Sequence, residues 1–167
     1  TFFSPLADVP PPEDSDAIYL PGGYPELHGG RLAANFLFLN GLKSAAKRGV
    51  AIYGECGGYM VLGDAIIAAD GTEHRMTGLL PLVTSLTRPR LHLGYRRAET
   101  LVRSPLGDAG ARFRGHEFHY ATIQHENAAT RLMRITNAAD KEDTVAGMTT
   151  QDGQIAGSFI HLIDRAK

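Results

Sequence analysis

Val50-Ala51-Ile52-Tyr53-Gly54-Glu55-Cys56-Gly57-Gly58-Tyr59-Met60-Val61-Leu62 is the stretch that decides the fold. Apolar and small residues run unbroken to Tyr53, as in a strand buried on both faces. Gly54 to Gly58 break that strand, and Met60-Val61-Leu62 can continue as a helix. A cysteine between glycines at a strand-to-helix turn is the setting in which a nucleophile elbow has physical meaning. The glycines let backbone and neighbouring elements approach a sharply turned residue. A thiol there feels the positive end of the helix dipole, so a lowered pKa is expected for Cys56. The bland alternative is a small buried hydrophobe. The preceding strand and the flanking glycines favour the nucleophile.

Working toward the N-terminus, Ala17-Ile18-Tyr19-Leu20 is a second buried run, stopped by Pro21-Gly22-Gly23. Between the two runs, Leu32, Phe36, Leu39, Leu42 and Ala46 recur at three- and four-residue steps, which predicts one helix passing through Asn40-Gly41. Lys47 and Arg48 suit its negative end and Gly49 can cap it. Strand, helix, strand with short links is a parallel α/β unit. In such a unit the carboxyl ends of adjacent strands lie on one edge. Gly22 and Gly23 are therefore expected beside Cys56, where their N–H groups and that of Gly57 could stabilise an oxyanion. Thr1-Phe2-Phe3 reads as a strand end, and Pro5, Pro10, Pro11 and Pro12 mark an extended connector.

Toward the C-terminus the texture becomes β-like, with runs at Leu91–Tyr95, Phe113–Tyr120, Met133–Thr136, Val145–Met148 and Ile155–Ile160 and no second convincing amphipathic helix. His161 ends the last run and can lean over the same sheet edge as the elbow, so it is the candidate base. His28, His74 and His125 read as surface or solvated loop. Gly115-His116-Glu117-Phe118-His119-Tyr120 invites a metal reading. A zinc-protease pattern, however, needs histidines four apart on a helix. On a strand, alternation separates His116 from His119 and puts Glu117 and His119 on one face. No metal is expected; a substrate contact or a hydrogen-bonded pair is.

The chain has 167 residues, 43% hydrophobic and 21% charged, with 17 basic against 18 acidic side chains. That length predicts one domain over residues 1–167. The balanced charge gives no field for nucleic acid or an anionic membrane, and no apolar run approaches a membrane span. A single cysteine makes the cytoplasm the expected compartment. No Gly-x-x-x-x-Gly-Lys-Ser/Thr or Gly-x-Gly-x-x-Gly occurs, so no nucleotide cofactor is expected in this chain.

Taken together, Tyr19-Leu-Pro-Gly-Gly-Tyr-Pro-Glu26, Tyr53-Gly-Glu-Cys-Gly-Gly-Tyr-Met-Val-Leu-Gly63, Leu91-His-Leu-Gly-Tyr-Arg96, Gly115-His-Glu-Phe-His-Tyr120 and Gly157-Ser-Phe-Ile-His161 resemble one family along essentially the whole chain. It is the C-terminal glutaminase domain of cobyrinic or hydrogenobyrinic acid a,c-diamide synthases, a class I glutamine amidotransferase. The resemblance implies a flavodoxin-like α/β sheet with a β-rich C-terminal half. It implies that Cys56 forms a glutamyl thioester with His161 as its activator, and that Gly57 with Gly22 or Gly23 forms the oxyanion hole. Glu117, His119 and Tyr120 fall in a family motif and are taken as substrate-binding.

The partners implied are glutamine and an ATP- and Mg-dependent N-terminal synthetase domain of the same polypeptide. The corrinoid would be held mainly by that domain, and a homodimer is left open. Thr1-Phe2-Phe3 matches the end of the family's second strand, so the first strand and helix are expected to lie upstream. Association or rearrangement is expected to fill the gap. Class I amidotransferases commonly carry a glutamate two residues after the histidine, where this sequence has Ile163. The third member is open among a backbone carbonyl, Asp164 and a carboxylate outside the chain. Two competing readings are a thiol hydrolase or peptidase on the same elbow and a catalytically silent docking module.

Overall fold

The parallel unit read around Cys56 is present in the computed structural model, which describes residues 1–127, 130–137 and 143–166. It comprises β1 (Ala17–Leu20), α1 (Gly29–Ala34), α2 (Phe36–Lys47), β2 (Ala51–Glu55) and α3 (Gly57–Leu62). The strands that follow are β3 (Ala65–Ile67), β4 (Glu73–Arg75), β5 (Leu82–Ser85), β6 (His92–Thr100), β7 (Arg112–His119), β8 (Thr122–Glu126), β9 (Arg131–Asn137), β10 (Asp143–Thr149), β11 (Ile155–Ser158) and β12 (Ile160–Arg165). The fold is α/β with a β-rich second half.

The main sheet runs β1-β2-β11-β10-β9-β6-β7-β12, and a smaller one runs β4-β3-β5-β8. In the main sheet only β1, β2 and β11 are mutually parallel. The remaining pairs are antiparallel. The run Ile155–Arg165 is bent at Phe159. Its first part pairs with β10 and β2 and its second with β7, so the meander β10-β9-β6-β7 curls round and returns to the same segment. This curl explains how His161 reaches the elbow from a strand at the far end of the sheet order.

Strand alternation sends successive residues of β2 into two cores. Ile52 packs with Ile18 and Leu20 of β1 and with Phe38, Leu39, Leu42 and Ala45 of α2. Tyr53 faces the interior of the curled part, with Leu132, Met133, Ala156 and Ile160.

The expected single helix is two helices. Asn35 leaves helical geometry at ψ 80°, and its amide donates to Pro5 O at 2.6 Å. Asp8 Oδ1 accepts the Phe38 N–H at 2.8 Å, capping α2 from the proline-rich connector. Phe36, expected on the apolar stripe, is 71% exposed. The stripe does continue through Gly41, where a Cβ would lie 2.6 Å from Pro10 Cβ. Thr1–Phe3 forms no strand. Instead, Phe2 and Phe3 line an apolar cavity of about 910 Å³ along the outer edge of β1, with Ile18, Leu20, Leu32 and Phe38. His74 is not solvated loop: it lies in β4, and its ring covers Gly29 and Gly30 of α1.

Gly58 is where α3 touches β1. A Cβ there would fall on the Leu20 carbonyl oxygen and 2.6 Å from Leu20 Cβ. Overpacking against backbone costs about 2–3 kcal/mol, so Gly58→Ala is expected to lower Tm by roughly 4–12 °C. Gly23→Ala, with nothing within 4 Å of the added carbon, is expected to stay within about 0.5 kcal/mol of the parent. Thermal unfolding of the two variants checks this contrast.

Candidate active site

Three strand ends converge at one edge. The register sets Leu20 opposite Gly54 and Gly54 opposite Gly157, with Glu55 opposite Ser158. The turn after β1, the elbow after β2 and the bend after β11 are therefore neighbours. Cys56 takes φ 51°, ψ −106°, a conformation that costs a non-glycine residue of order 1–3 kcal/mol. Hydrogen bonds hold it there: Cys56 N–H to Ser158 O at 2.8 Å, Gly58 N–H to Pro21 O at 3.2 Å and Met60 N–H to Cys56 O at 3.1 Å.

The Cys56 thiol faces a cavity of about 330 Å³ shared with Gly22, Gly23, Glu26, His119 and His161. The backbone N–H groups of Gly57 and Gly23 favour negative charge on Sγ, which makes Gly23 rather than Gly22 the candidate second donor. The thiol itself donates to Phe118 O at 3.8 Å. Gly22 has a different task. A Cβ there would lie 2.5 Å from His161 Cε1 and 3.6 Å from Cys56 Cβ, so its bareness lets the imidazole stand against the cysteine. His161, Cys56, Gly22, Gly23 and Gly57 thus come together.

The expected lowering of the thiol pKa is overturned. Burial, with Glu26 and Glu55 adding negative charge, outweighs the Gly57 and Gly23 hydrogen bonds and pushes Cys56 up to about 11. The helix that follows has only six residues, too short to offset desolvation of a 7% exposed thiol.

Sequence reasoning missed Glu55. His161 Nδ1 lies 3.2 Å from Glu55 Oε1. That same oxygen accepts Tyr19 OH at 2.9 Å, and Oε2 accepts the Leu162 N–H at 3.1 Å. The carboxylate is 6% exposed and fixed at both oxygens. Nδ1 is committed to Glu55, which leaves Nε2 for chemistry. The carboxylate beside Cys56 in sequence was visible, but only the β2–β11 register places it under His161. Asp164 instead pairs with Arg114 at 3.5 Å on the surface, and Ile163 is 62% exposed. The His116 ring stacks on His161 at 4.8 Å.

His119 and Tyr120 line the Cys56 cavity, whereas Glu117 faces a neighbouring one of about 600 Å³. Glu117 takes two hydrogen bonds from Arg96, at 3.0 and 2.7 Å, and its Oε1 lies 2.9 Å from His119 Nε2. Burial raises its pKa, but the His119 and Arg96 bonds and charges bring it below the ordinary carboxylate value. His119 Nδ1 lies 2.8 Å from Ala121 O, and its ring is sandwiched between His92 and Phe159 at 4.5 and 3.9 Å. Among the described residues, His92, Glu117 and His119 are the one group spaced for a metal, within 4.8 Å. The His92 and His119 planes are parallel, 3° apart, so no ion can lie in both, and Arg96 already covers the carboxylate. These contacts fix the orientation of the His119 ring.

Residues 1–167 match the CobB/CobQ-like glutamine amidotransferase domain family. The chain is 54% identical to a Sinorhizobium sp protein named hydrogenobyrinate a,c-diamide synthase, over 99% of this chain and 37% of that one. A Rhodobacter capsulatus protein of the same name is 50% identical over 96% of this chain and 36% of its own length. The chain thus spans just over a third of the curated relatives it matches. Among solved structures, PurLQS from Thermotoga maritima superposes with a TM-score of 0.62 at 20% identity, covering 90% of this chain and 70% of that one. A structure titled glutamine amidotransferase gives 0.56 at 19%, covering 89% and 71%. Both support the fold. No helix among the described residues is long and apolar enough to cross a membrane.

A resting thiol with a pKa near 11 has a defined signature. Alkylation of Cys56 by iodoacetamide is expected to rise about tenfold per pH unit from pH 7 to 10, tracking the thiolate fraction. A plateau below pH 8 would show instead a preformed Cys56–His161 ion pair.

Proposed function

The chain belongs to the CobB/CobQ-like glutamine amidotransferase domain family, and from that premise we propose that Cys56 hydrolyses glutamine through a thioester. The observation that carries the proposal is the joint placement of the strained Cys56, two N–H donors and a histidine whose Nδ1 faces Glu55. In the first step the Cys56 proton passes to His161 Nε2 as Sγ bonds to the amide carbon. The carbonyl oxygen becomes an oxyanion between the Gly57 and Gly23 N–H groups. The C–N bond breaks as His161 returns the proton to the leaving nitrogen, giving ammonia and a glutamyl thioester. Water, deprotonated by His161, then attacks the thioester, and glutamate leaves as the thiol reforms.

Glu55 acts through His161. Its carboxylate fixes the tautomer with hydrogen on Nδ1 and stabilises the imidazolium formed in each step. A thiol that rests neutral suits this sequence of events: charge develops only when a substrate oxygen fills the donor pair. His119 and Tyr120 would form a wall of the glutamine cavity, and Glu117 would hold His119.

The relatives' names extend the proposal. Ammonia released here would serve amidation of the a and c carboxylates of hydrogenobyrinic acid, or its cobalt-containing counterpart, in cobalamin biosynthesis. ATP and Mg would act in the remainder of the longer polypeptide, which would also hold the corrinoid. A reducing cytoplasm would keep the thiol available.

In the full-length enzyme, Cys56→Ser is expected to abolish glutamine-dependent amidation while ammonia-dependent amidation survives. Persistence of the glutamine-dependent reaction would refute the assignment. Glu55→Gln is expected to lower glutaminase kcat by about 10²-fold or more, and His161→Asn at least as much. Steady-state ammonia release measures both.

A further inference from the structure

Glu26 is the acidic side chain of the Cys56 cavity that the proposed chemistry leaves unused. It lies in the short turn Pro25–His28 that follows Gly22-Gly23-Tyr24, and it lines the same cavity as Cys56 and His161. It is half-buried, and among the described residues no lysine, arginine or histidine pairs with it. Glu55 offers the contrast: it too is near Cys56, but it is engaged by Tyr19, Leu162 and His161. When ionised, Glu26 is partly removed from water and, among the described residues, without a counter-cation. Such a group is costly unless something fills the role.

Resting on the glutaminase reading above, we infer that Glu26 binds the α-ammonium group of the L-glutamine substrate. The chemistry matches on both sides. Glutamine with its amide carbon at Cys56 extends three further carbons to an α-carbon bearing a positive charge. Among the described residues, no arginine or lysine lines the cavity and Glu26 is its acidic side chain, so the part of the head group that this chain's side chains can pair is the ammonium. Burial raises the pKa of Glu26, and its charge raises that of Cys56. A bound ammonium relieves both effects, because it neutralises the carboxylate and removes part of what opposes the thiolate. Glu26 would then couple occupancy by a true amino acid to activation of the nucleophile. Amides without the cation would enter but gain neither effect.

The discriminating substrate is glutaramate, which keeps the terminal amide and the carboxylate of glutamine but has hydrogen in place of the α-ammonium. In the full-length enzyme, kcat/KM for L-glutamine over that for glutaramate is expected to be large and to fall at least about 30-fold in Glu26→Gln. Glu26→Asp, which keeps the charge on a shorter arm, is expected to recover part of the preference. Iodoacetamide alkylation of Cys56 reports on the integrity of the cavity. It is expected to be as fast or faster in Glu26→Gln at a given pH, since one neighbouring negative charge is gone. Equal loss of both substrates in Glu26→Gln, or no preference for glutamine in the parent enzyme, would overturn the inference. Failure of the parent enzyme to release ammonia from either amide would overturn the glutaminase reading itself.

Discussion

The parallel register of β1, β2 and β11 is the constraint on which the rest depends. It aligns Leu20, Gly54 and Gly157 across three strands. The residues that follow each of them are Pro21-Gly22-Gly23, Glu55-Cys56-Gly57 and Ser158-Phe159-Ile160-His161. A one-residue slip of β2 would exchange its two faces, moving Ile52 and Tyr53 into the wrong cores and turning Cys56 away from the Gly23 N–H. The hydrogen bonds that hold Cys56 at positive φ run to Ser158 on one neighbour, and Gly58 bonds to Pro21 on the other. Neither strand alone could stabilise that turn.

Electrostatically the surroundings of Cys56 work against the thiolate. Desolvation dominates at Cys56, and two nearby carboxylates add to it. The opposing groups are two backbone N–H donors, and these are the same donors that would receive a substrate oxyanion. The donors therefore favour charge wherever it appears, first weakly on sulfur and then on oxygen. In the proposed reaction the selective gain would come when charge moves from a buried thiol to an oxygen placed between them. Tyr19 illustrates the local field: burial and its hydrogen bond to Glu55 push its pKa up to about 12, so it remains a donor that steadies the carboxylate.

Much of this was legible in the sequence because it is local. The apolar run before Cys56, the glycines around it, the glycine turn after Leu20 and the histidine that follows the apolar run Ile155–Ile160 each carry their signal within a few residues. What was not legible depends on pairing across distance. The break at Asn35 arises from Asp8 and Pro5, some 30 residues earlier, and not from any local helix breaker. Glu55 is adjacent to the nucleophile, yet its contact with His161 needs a register between strands a hundred residues apart. The pKa of Cys56 was misread because a dipole argument from sequence has no access to burial. His74 looked like loop because a three-residue strand has too short a period to be recognised.

Phe159 shows how the two halves of the fold become one site. It is the single residue between β11 and β12, so it turns the chain from the parallel trio into the curled meander. One face of its ring stacks on His119 at 3.9 Å, and Tyr59 of α3 meets it edge-on at 5.4 Å. The same bend sends Ser158 O toward the Cys56 N–H and carries His161 round to Glu55. Cys56, His161 and Glu55 are thus tied to one corner of the fold rather than to a loop. With the backbone direction set by the pairings of β11 and β12 at two places in the main sheet and the His161 ring held by Glu55 and His116, the imidazole has little freedom to turn. That preorganisation is what a hydrolysis using one histidine twice, as acid and as base, requires of its scaffold.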